Sequence, residues 1–548
     1  MKIRDAIRGA VGEALASLGW ADAGTGVVLE RPREAAHGDM STPVAMTLAR
    51  TLRRNPMQIA EELAAKIVLP AGAVDSVAVL RPGFVNFRFA LGALHESVAD
   101  AAARQERYGA AATLGGERVQ VEYVSANPTG PLVLVSARAA AVGFALTNLL
   151  RFQGCDAEGE YYVNDFGKQI EALGESLRHR LRERLGLTGP AEEIGAYPGA
   201  YVAEIAQGVD EATARRWVEG GESGAALGRH AADRLLDRIA ADLVSYGVRF
   251  DHFFRESSLH PEAADAIVRR FRAAGVTYER DGALYFRSTA YGDDKDRVLV
   301  KSNGEQTYFL SDVAYHATKL ERGFTRAIGL LGPDHHGHVA RMQAAVSVLG
   351  AGADWLEIMM VGWVRLMEDG AQISMSKRAG EFITMRELVD DVGADVAKYF
   401  FLMRRANTPL DFDLTLARKH SDENPVFYVQ YAHARISSVI RFALEKGHGE
   451  ANGDADLSRL DRDEERALML HIAYFPLVAE GAAAAREPHR LTAYAQELAT
   501  AFHQFYHECR IVTDDRALTA ARLRLAEATM HVLRNTLSLL GVTAPSSM

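Results

Sequence analysis

Apolar residues follow a helical and then a strand-like spacing in the first part of the chain. Every fourth residue from Ile3 to Leu15 is apolar, which predicts an amphipathic helix. Asn55 before Pro56 is a helix-start signal, and Pro82-Gly83 separates two runs of strand-forming residues. The elements predicted after the first helix are a strand at 27–29, helices over 41–52 and 56–67, and a hairpin of strands 77–80 and 84–87. Residues 1–112 are therefore expected to form a small α/β unit.

An alternation of strands and helices begins at Val119. Val119, Val121 and Tyr123 alternate with polar residues, which is typical of a strand. Further strands are predicted at 160–163, 298–300, 308–310, 327–331 and 358–361. Such an alternation predicts the α/β class, with a mostly parallel sheet and right-handed crossovers over residues 113–416. The stretch from about 170 to 290 is largely helical and is interpreted as an insertion between two halves of the sheet.

The pattern becomes purely helical near Ala417. Helices are predicted over 426–444, 461–484, 491–509 and 518–540, and Gly541 with Pro545 ends the last one. Residues 417–548 are therefore expected to form a helical bundle.

Composition excludes several classes of protein. The chain has 548 residues, a formal net charge of −10, 48% hydrophobic and 24% charged residues, which is typical of a folded soluble protein. Two cysteines, Cys155 and Cys509, exclude a disulfide framework and favour a reducing compartment. The first 20 residues lack the apolar core of a secretory signal, and no uncharged apolar stretch predicts a membrane span. The acidic balance disfavours indiscriminate coating of nucleic acid but leaves local binding open.

The strand–turn–helix at 119–150 is a candidate phosphate site. A Pro/Gly-rich turn at 125–131 leads into an Ala-rich helix, whose free N–H groups and dipole favour an anion. Neither a dinucleotide-binding nor a P-loop fingerprint is present, so the same pattern also fits an ordinary connection.

Lys377 is a second candidate for phosphate chemistry. It lies in a run of small residues between Gly370 and Gly380, and a lysine on a loop can follow charge that develops on phosphate. The alternative is a solvated basic turn.

Tyr308 and Asp312 form a candidate cation pocket. Residues four apart share a helix face, so the two would line one pocket if the predicted strand gives way to helix. A carboxylate beside a tyrosine suits a guanidinium, although Asp312 could instead cap a helix. The cluster of Asp334, His335, His336 and His338 makes a poor ligand cage on a glycine-bounded turn, so no metal site is expected.

Several ordered runs together resemble the arginyl-tRNA synthetase family, a class I aminoacyl-tRNA synthetase family, over essentially the whole chain. The runs are ERPR (30–33), AHGD (36–39), PGFVNF (82–87), VEYVSANPTGPL (121–132), YYVND (161–165), GPDHHG (332–337), MSKRAG (375–380) and NPVFYVQYAHAR (424–435). The resemblance implies a tRNA-contacting N-terminal domain over 1–112, a Rossmann-like catalytic domain over 113–416 and an anticodon-binding domain over 417–548.

The resemblance also implies a two-step reaction. Arginine would attack ATP to give arginyl-adenylate and pyrophosphate, and the arginyl group would then pass to the 3′-terminal ribose of tRNA(Arg), in a step that positioning and charge stabilisation accelerate. ATP would act as a substrate with Mg²⁺, and no permanently bound cofactor is expected. A monomer in the cytoplasm, away from membranes, is expected.

Residue roles follow from the same resemblance. The residues implied to bind arginine are Glu122, Tyr308 and Asp312 at the guanidinium and Ser125, Asn127 and His335 near the α-amino end. Those implied to bind ATP are Pro128, Thr129, Gly130, Pro131, Val135, Met375, Ser376, Lys377 and Arg378. Lys377, Ser136 and Arg138 are implied in catalysis, and Tyr431 and Arg435 in tRNA binding through stacking.

The ATP motif departs from the family. The family carries a His-Val-Gly-His run after Pro-Leu, where this chain has Val133, Leu134, Val135 and Ser136, and Ser374 replaces the first lysine of the KMSK loop. The interpretation we favour is an active variant in which the helix N-terminus, Ser136, Lys377 and Arg378 compensate. The alternatives are a tRNA-binding paralogue without chemistry and a synthetase for another amino acid. Asp312 argues against the last, because a buried carboxylate without a cation is costly.

A basic run in the insertion is a further RNA candidate. Four arginines between Arg178 and Arg184 alternate with other residues on a predicted helix. They could contact RNA phosphates, which position without specifying sequence, or form a solvated helix face.

Overall fold

The computed structural model describes residues 2–21, 26–32, 34–187, 195–333, 337–373, 383–448 and 455–548. In these residues, a small N-terminal α/β unit is followed by a parallel sheet with helices and then by a helical bundle. The α/β class predicted from the alternation of strands and helices is confirmed.

The N-terminal unit is a three-stranded antiparallel sheet packed against helices, in the strand order β1-β3-β2. Its elements are α1 (Lys2–Ser17), β1 (Met40–Thr42), α2 (Val44–Leu52), α3 (Pro56–Lys66), β2 (Val74–Leu80), β3 (Phe84–Phe89) and α4 (Leu91–Arg104). The hairpin and the Asn55 cap are confirmed, since the Asn55 side chain accepts from the Met57 N–H at 2.8 Å. The strand predicted at 27–29 is wrong: only Glu30 pairs there, with Ser41 of β1.

The middle unit contains most of the strands. Its elements are β4 (Arg118–Glu122), α5 (Leu134–Phe152), β5 (Asp156–Val163), α6 (Lys168–Arg184), α7 (Ala200–Gln207), α8 (Glu211–Glu219), α9 (Gly224–Ser245), β6 (His252–Arg255), α10 (Glu262–Ala273), β7 (Thr277–Arg280), β8 (Ala283–Phe286), β9 (Arg297–Val300), α11 (Tyr308–Glu321), β10 (Arg326–Leu331), α12 (His338–Val348), β11 (Leu356–Met360), β12 (Val364–Glu368), β13 (Ala371–Gln372), α13 (Met385–Val392), α14 (Ala394–Leu402), β14 (Leu410–Asp413) and α15 (Leu414–Ala417). Five of the strands form one parallel sheet in the order β11-β10-β4-β5-β6.

The insertion is shorter than predicted. Its helices α6 to α9 have a hydrophobic core of their own and end at Ser245, after which β6 pairs with β5 in the parallel sheet. The strand at 298–300 is confirmed as β9, but it belongs to a separate antiparallel sheet with β7 and β8. The four-residue strand β6 carries no periodic signal of its own, so only its pairing with β5 defines it.

The C-terminal bundle agrees with the predicted helices. It consists of α16 (Pro425–Glu445), α17 (Asp463–Ala485), α18 (His489–Glu508) and α19 (Arg516–Leu539). By length and composition α17 is apolar enough to cross a membrane, but half of its most apolar window is buried inside the protein. Its apolar residues therefore serve packing in the bundle, where α17 contacts α18 and α19.

Candidate active site at the switch point of the parallel sheet

The strand order creates a crevice at one edge of the sheet. The chain runs from β4 outward through β5 to β6 and then returns to β10 on the other side of β4. At such a switch point the connections leave in opposite directions, and ligands bind beyond the carboxyl ends of the strands. Here β4 ends at Glu122 and β10 at Leu331, so the residues that follow them border the crevice.

The backbone that leaves β4 is strained. Val124 and Ser125 have φ angles of 68° and 39°, a left-handed conformation that costs a β-branched residue about 1–3 kcal/mol. The Ser125 hydroxyl holds this turn, because it accepts from the Tyr162 N–H at 3.1 Å and donates to Glu122 Oε1 at 3.1 Å. Strain of this kind gathers at binding sites, where the surrounding structure fixes it.

A cavity of about 890 Å³ opens beside this edge, and Tyr308 and Asp312 both line it. The strand predicted at 308–310 is wrong, because Thr307 caps a helix that begins at Tyr308 and its hydroxyl accepts from the Leu310 N–H. That cap also removes the alternative that Asp312 is an N-cap. One helical turn therefore places the phenol and the carboxylate on one wall, as the four-residue spacing predicts.

Asp312 is in an acidic environment. Burial and the charges of Glu122 and Glu256 raise its pKa to about 8, and Arg341 opposes this rise. About a third of the Asp312 side chain is exposed, and that part faces the cavity that it lines. His338 Nε2 lies 3.5 Å from its carboxylate, while Arg341 Nε donates to His338 Nδ1 at 3.1 Å. The part of the cavity around Asp312 is therefore acidic, and no lysine or arginine of the described residues lies within 4.0 Å of the Asp312 carboxylate.

Glu256 is a second carboxylate of the same cavity, and it is almost fully buried. It follows β6 directly, and Asp165 holds that connection by accepting from the Ser257 N–H at 2.8 Å and from Arg255 at 3.1 Å. Burial raises the pKa of Glu256, and His260 lies 3.5 Å away. Sequence reasoning missed Glu256 because it missed β6; the aromatic pair in β6, Phe253 and Phe254, is the only signal that could have indicated that strand.

Glu122 is paired with a buried lysine that sequence reasoning did not single out. Its Oε2 lies 2.7 Å from Nζ of Lys319, whose side chain is 1% exposed, and its Oε1 accepts from Ser125. Glu122 is thus already paired with a buried cation, whereas the ion-pair partners of Asp312 and Glu256 within 4.0 Å, among the residues that the structure describes, are histidines.

The turn after β4 is held by the insertion. Asn127 Nδ2 donates to Gln169 Oε1 of α6 at 2.6 Å, and the Tyr201 hydroxyl of α7 donates to the Thr129 carbonyl at 2.8 Å. The same hydroxyl would lie 3.4 Å from a Cβ at Gly130, so the turn fits closely under α7. Residues 127–131 therefore form a fixed rim between the crevice and the insertion.

The N-terminus of α5 faces the same region. Val133 is its N-cap and no side chain caps the helix, so its first N–H groups remain available to an anion. Val135 is half-buried and Ser136 is 9% exposed. Val133 pairs with Thr384, and the Met385 N–H donates to the Leu132 carbonyl at 2.8 Å. The chain that follows the Lys377 segment is thereby fixed beside α5.

Some predicted site residues fall outside the described residues. These are His335 and the KMSK-like residues Met375, Ser376, Lys377 and Arg378. Of the histidine cluster considered for a metal, only His338 is described, and it pairs with Asp312.

Three family descriptions match successive parts of the chain: "Arginyl tRNA synthetase N terminal domain" over 1–89, "tRNA synthetases class I (R), catalytic domain" over 97–402 and "DALR anticodon binding domain" over 429–548. An arginine–tRNA ligase of Desulfosudis oleivorans is 44% identical over 95% of both chains. That of Symbiobacterium thermophilum is 44% identical over 100% of this chain and 98% of its own. The chain belongs to the arginyl-tRNA synthetase family.

A solved structure agrees in fold with this member of the family. The arginyl-tRNA synthetase of Thermus thermophilus has a TM-score of 0.78 over the full length of both chains at 23% identity. The resemblance stated from the sequence is thereby confirmed for the family and the fold.

Arg138, implied in catalysis, is fully buried in this synthetase. Its guanidinium donates to the carbonyls of Gly362 and Arg405, each at 2.9 Å, and burial lowers its pKa to about 10. Arg138 is not among the described residues that line the cavity, and its role in catalysis stays a prediction. In the structure Arg138 fixes α5 to the segments around residues 362 and 405.

Replacing Arg138 by methionine is expected to lower the free energy of unfolding by about 3 kcal/mol, because buried carbonyls lose their donor. Urea denaturation measures this change. Arg151→Met is the control on the same helix: Arg151 is 41% exposed, so water can replace its contacts with Asp251 at 2.6 Å and with the Ala157 carbonyl at 2.8 Å, and a loss of about 1 kcal/mol or less is expected. Equal losses in the two variants would contradict the positioning role.

The basic run of the insertion serves the insertion itself. Arg184 donates to the Val209 carbonyl at 2.7 Å, Arg180 to the Pro198 carbonyl at 2.8 Å, and Arg178 to the Glu222 carbonyl. Arg182 donates to the Leu187 carbonyl at 3.0 Å, so all four guanidinium groups are engaged with carbonyls outside their own helix, which favours a structural role over contact with RNA phosphates.

An exposed cation–aromatic stack lies on the bundle. The Arg435 guanidinium lies 4.4 Å from the ring centre of Tyr431 and 4.8 Å from that of Tyr506. Tyr431 is 42% exposed, so its ring is partly open to solvent. Exposed rings with a cation are typical of surfaces on which nucleobases stack.

Proposed function

We propose that this chain joins L-arginine to tRNA(Arg) in two steps. The arginine carboxylate attacks the α-phosphate of ATP, which forms arginyl-adenylate and releases pyrophosphate; the 3′-terminal ribose hydroxyl then displaces AMP. The observation that carries the proposal is the acidic part of the cavity around Asp312, which lies beside the carboxyl ends of strands of the parallel sheet in a chain that belongs to this family. A guanidinium supplies the missing positive charge with geometry suited to a carboxylate.

The geometry suggests which residues bind the guanidinium end of the arginine substrate and which bind its α-amino end. Asp312, Glu256 and Tyr308 would receive the guanidinium, since the first two carry no lysine or arginine partner within 4.0 Å among the described residues. Glu122, which is paired with Lys319, would act nearer the α-amino end with Ser125, Asn127 and His335. This division revises the expectation that Glu122 binds the guanidinium.

ATP would lie along the rim and the start of α5. The groups proposed to contact it are the backbone of Pro128, Thr129, Gly130 and Pro131, the first turn of α5 with Val135 and Ser136, and Met375, Ser376, Lys377 and Arg378. The uncapped helix N-terminus supports this placement. Among the residues whose placement is described, no group of three His, Cys, Asp or Glu side chains could hold a metal. Mg²⁺ would therefore arrive with the ATP phosphates.

The remaining partners belong to the same proposal. Tyr431 and Arg435 would stack on anticodon bases, which their exposed stack supports. The N-terminal domain would contact another part of the tRNA. We propose a monomer that acts in the cytoplasm.

Arginine-dependent exchange of pyrophosphate into ATP, measured with tRNA(Arg) present, tests the function. We expect the wild-type chain to give exchange. The substitutions Val133→His, Val135→Gly and Ser136→His, which would recreate the family motif, should not be needed. Citrulline, a neutral isostere of arginine, is the matched control and should give no exchange. Normal tRNA binding without exchange would instead support the binding-only paralogue, and exchange with another amino acid would support the third alternative.

Arginine KM is expected to fall as pH rises from 6 to 8 and to level off above pH 8. Below its pKa of about 8 the free Asp312 carboxyl holds a proton, which the bound guanidinium must displace. The slope approaches about tenfold per pH unit well below that pKa. Arginine KM measured across this range, with the KM for ATP as the control, checks the effect; a flat arginine profile would contradict it.

A further inference from the structure

A buried lysine lies beneath a cavity that is built to receive a cation. Lys319 is on α11, seven residues after Asp312 and thus on the same helix face. Its side chain is 1% exposed, its Nζ lies 2.7 Å from Glu122 Oε2, and it lies 4.1 Å from the ring centre of Tyr315. Burying an ammonium group is costly unless an anion compensates its charge. The ion pair with Glu122 is therefore the main interaction that offsets the cost of burying Lys319.

Glu160, a buried acid on the neighbouring strand β5, has partners of its own. Glu160 is fully buried, accepts from the Tyr315 hydroxyl at 2.6 Å and from Gln120 at 2.7 Å, and forms an ion pair with Arg322 at 2.6 Å. Lys319 thus pairs with Glu122, while Arg322 pairs with Glu160 and, at 3.7 Å, with Glu158. Neither cation is available to Asp312 as a close partner.

The groups that face Asp312 come from every element around it. They are Glu122 from β4, Tyr162 from β5, Glu256 after β6, Lys319 and His316 from α11, and His338 and Arg341 from α12. Among the acids of this set, Glu122 alone has a lysine or arginine within 4.0 Å in the described part of the chain. Of the carboxylates around Asp312 and including it, only Glu122 is therefore neutralised by a lysine or arginine of the described residues.

We propose that Lys319 is a positioning residue for arginine: it neutralises Glu122 and holds it against the strained turn at Val124 and Ser125. The cavity then presents Asp312 and Glu256, and not a third free carboxylate, to the guanidinium. The Glu122 side chain is fixed at both oxygens, by Lys319 and by Ser125, so it cannot turn toward the cation site without breaking an ion pair. This inference rests on the proposed function.

Four proteins form a cycle that tests the proposal: wild type, Lys319→Met, Glu122→Gln and the double variant. The readout is the pH midpoint of arginine KM in the exchange assay. Removing Lys319 leaves Glu122 uncompensated near Asp312, so the midpoint should rise by about one pH unit, which is about tenfold in KM at pH 7. Removing Glu122 should lower it, because Glu122 acts on Asp312 more strongly than Lys319 does. From the highest pH midpoint to the lowest, the expected order is Lys319→Met, wild type, the double variant and Glu122→Gln.

A purely structural Lys319 would lower thermal stability in Lys319→Met but leave its midpoint equal to that of wild type, and would leave the midpoint of the double variant equal to that of Glu122→Gln; this result would overturn the proposal. If Lys319→Met does not fold, the double variant, in which neither member of the pair is charged, must show a midpoint between those of Glu122→Gln and wild type. Arg322→Met is the matched control, at the residue that directly follows α11; its buried partner is Glu160, and its midpoint should equal that of wild type. Absence of arginine-dependent exchange in wild type would refute the proposed function instead, since no variant is involved.

Discussion

Replacing Asp312 by asparagine is expected to lower kcat/KM for arginine by several hundred-fold or more. Removing one partner of a desolvated charge pair costs about 3–5 kcal/mol, and the guanidinium would lose the carboxylate that carries its charge. Arginine-dependent pyrophosphate exchange with tRNA(Arg) measures this loss. The control is Asp156→Asn at the opposite end of the sheet, where the side chain is 70% exposed; its activity should stay within about twofold of wild type. Unchanged kinetics in Asp312→Asn would place the arginine pocket elsewhere.

The same variant is expected to gain stability at alkaline pH. Between pH 4 and 8 the folded protein keeps a proton on Asp312 that the unfolded chain releases, because the folded pKa is raised from 3.8 to about 8. The folded state then binds more protons than the unfolded state, so stability falls as pH rises through this window. In the Asp312→Asn variant this ionisable group is gone, so the free energy of unfolding no longer falls with pH on its account. The Tm advantage of Asp312→Asn should therefore be larger at pH 8 than at pH 5, and an advantage that shrinks with pH would contradict the raised pKa.

Replacing Lys377 by alanine is expected to lower kcat of exchange by about 10²–10³, the effect of removing one preorganised donor from a charged transition state. Residues 133, 135 and 136 carry no ionisable side chain, so the proposal assigns a larger share of the phosphate charge to Lys377, beside the N–H groups of α5, Ser136, Arg378 and the Mg²⁺ that ATP brings. Arginine KM should change little. Single-turnover formation of arginyl-adenylate with saturating tRNA(Arg) separates the two quantities.

Lys168→Ala is the control for Lys377→Ala. Lys168 lines the cavity but is 75% exposed and 3.7 Å from Glu305, so its loss should leave kcat within about twofold. An equal loss in both variants would indicate a general charge effect. Full activity of Lys377→Ala would mean that the helix N-terminus alone supports ATP chemistry.

Local patterns predicted the parts of the site that one element supplies. Tyr308 and Asp312 are four residues apart on one helix, and their spacing sufficed to place them on one wall. The strand predicted at 308–310 failed because the short apolar run after Thr307 fits a buried strand and a helix start equally well, and only the Thr307 cap decides.

Contacts between distant segments were beyond local reasoning. Glu122 and Lys319 are 197 residues apart, and only the pairing of β4 with β10, which follows α11, brings them together. Glu256 was missed because its strand is four residues long and is defined by its neighbour β5. Arg138 matched the family pattern, yet its role depends on carbonyls more than 220 residues away, which no spacing reveals.

The N-terminal unit and the bundle are joined without the sheet between them. Helix α4 packs against α17 and α19, and Asp39, which is 2% exposed, binds Arg466 at 2.6 Å while its carbonyl accepts from the Tyr474 hydroxyl at 2.6 Å. The two outer units are thus already ordered with respect to each other. A tRNA that contacts both units, as proposed above, would bind two surfaces that are already held together, so the conformational entropy lost on binding would come mainly from the RNA and not from the protein.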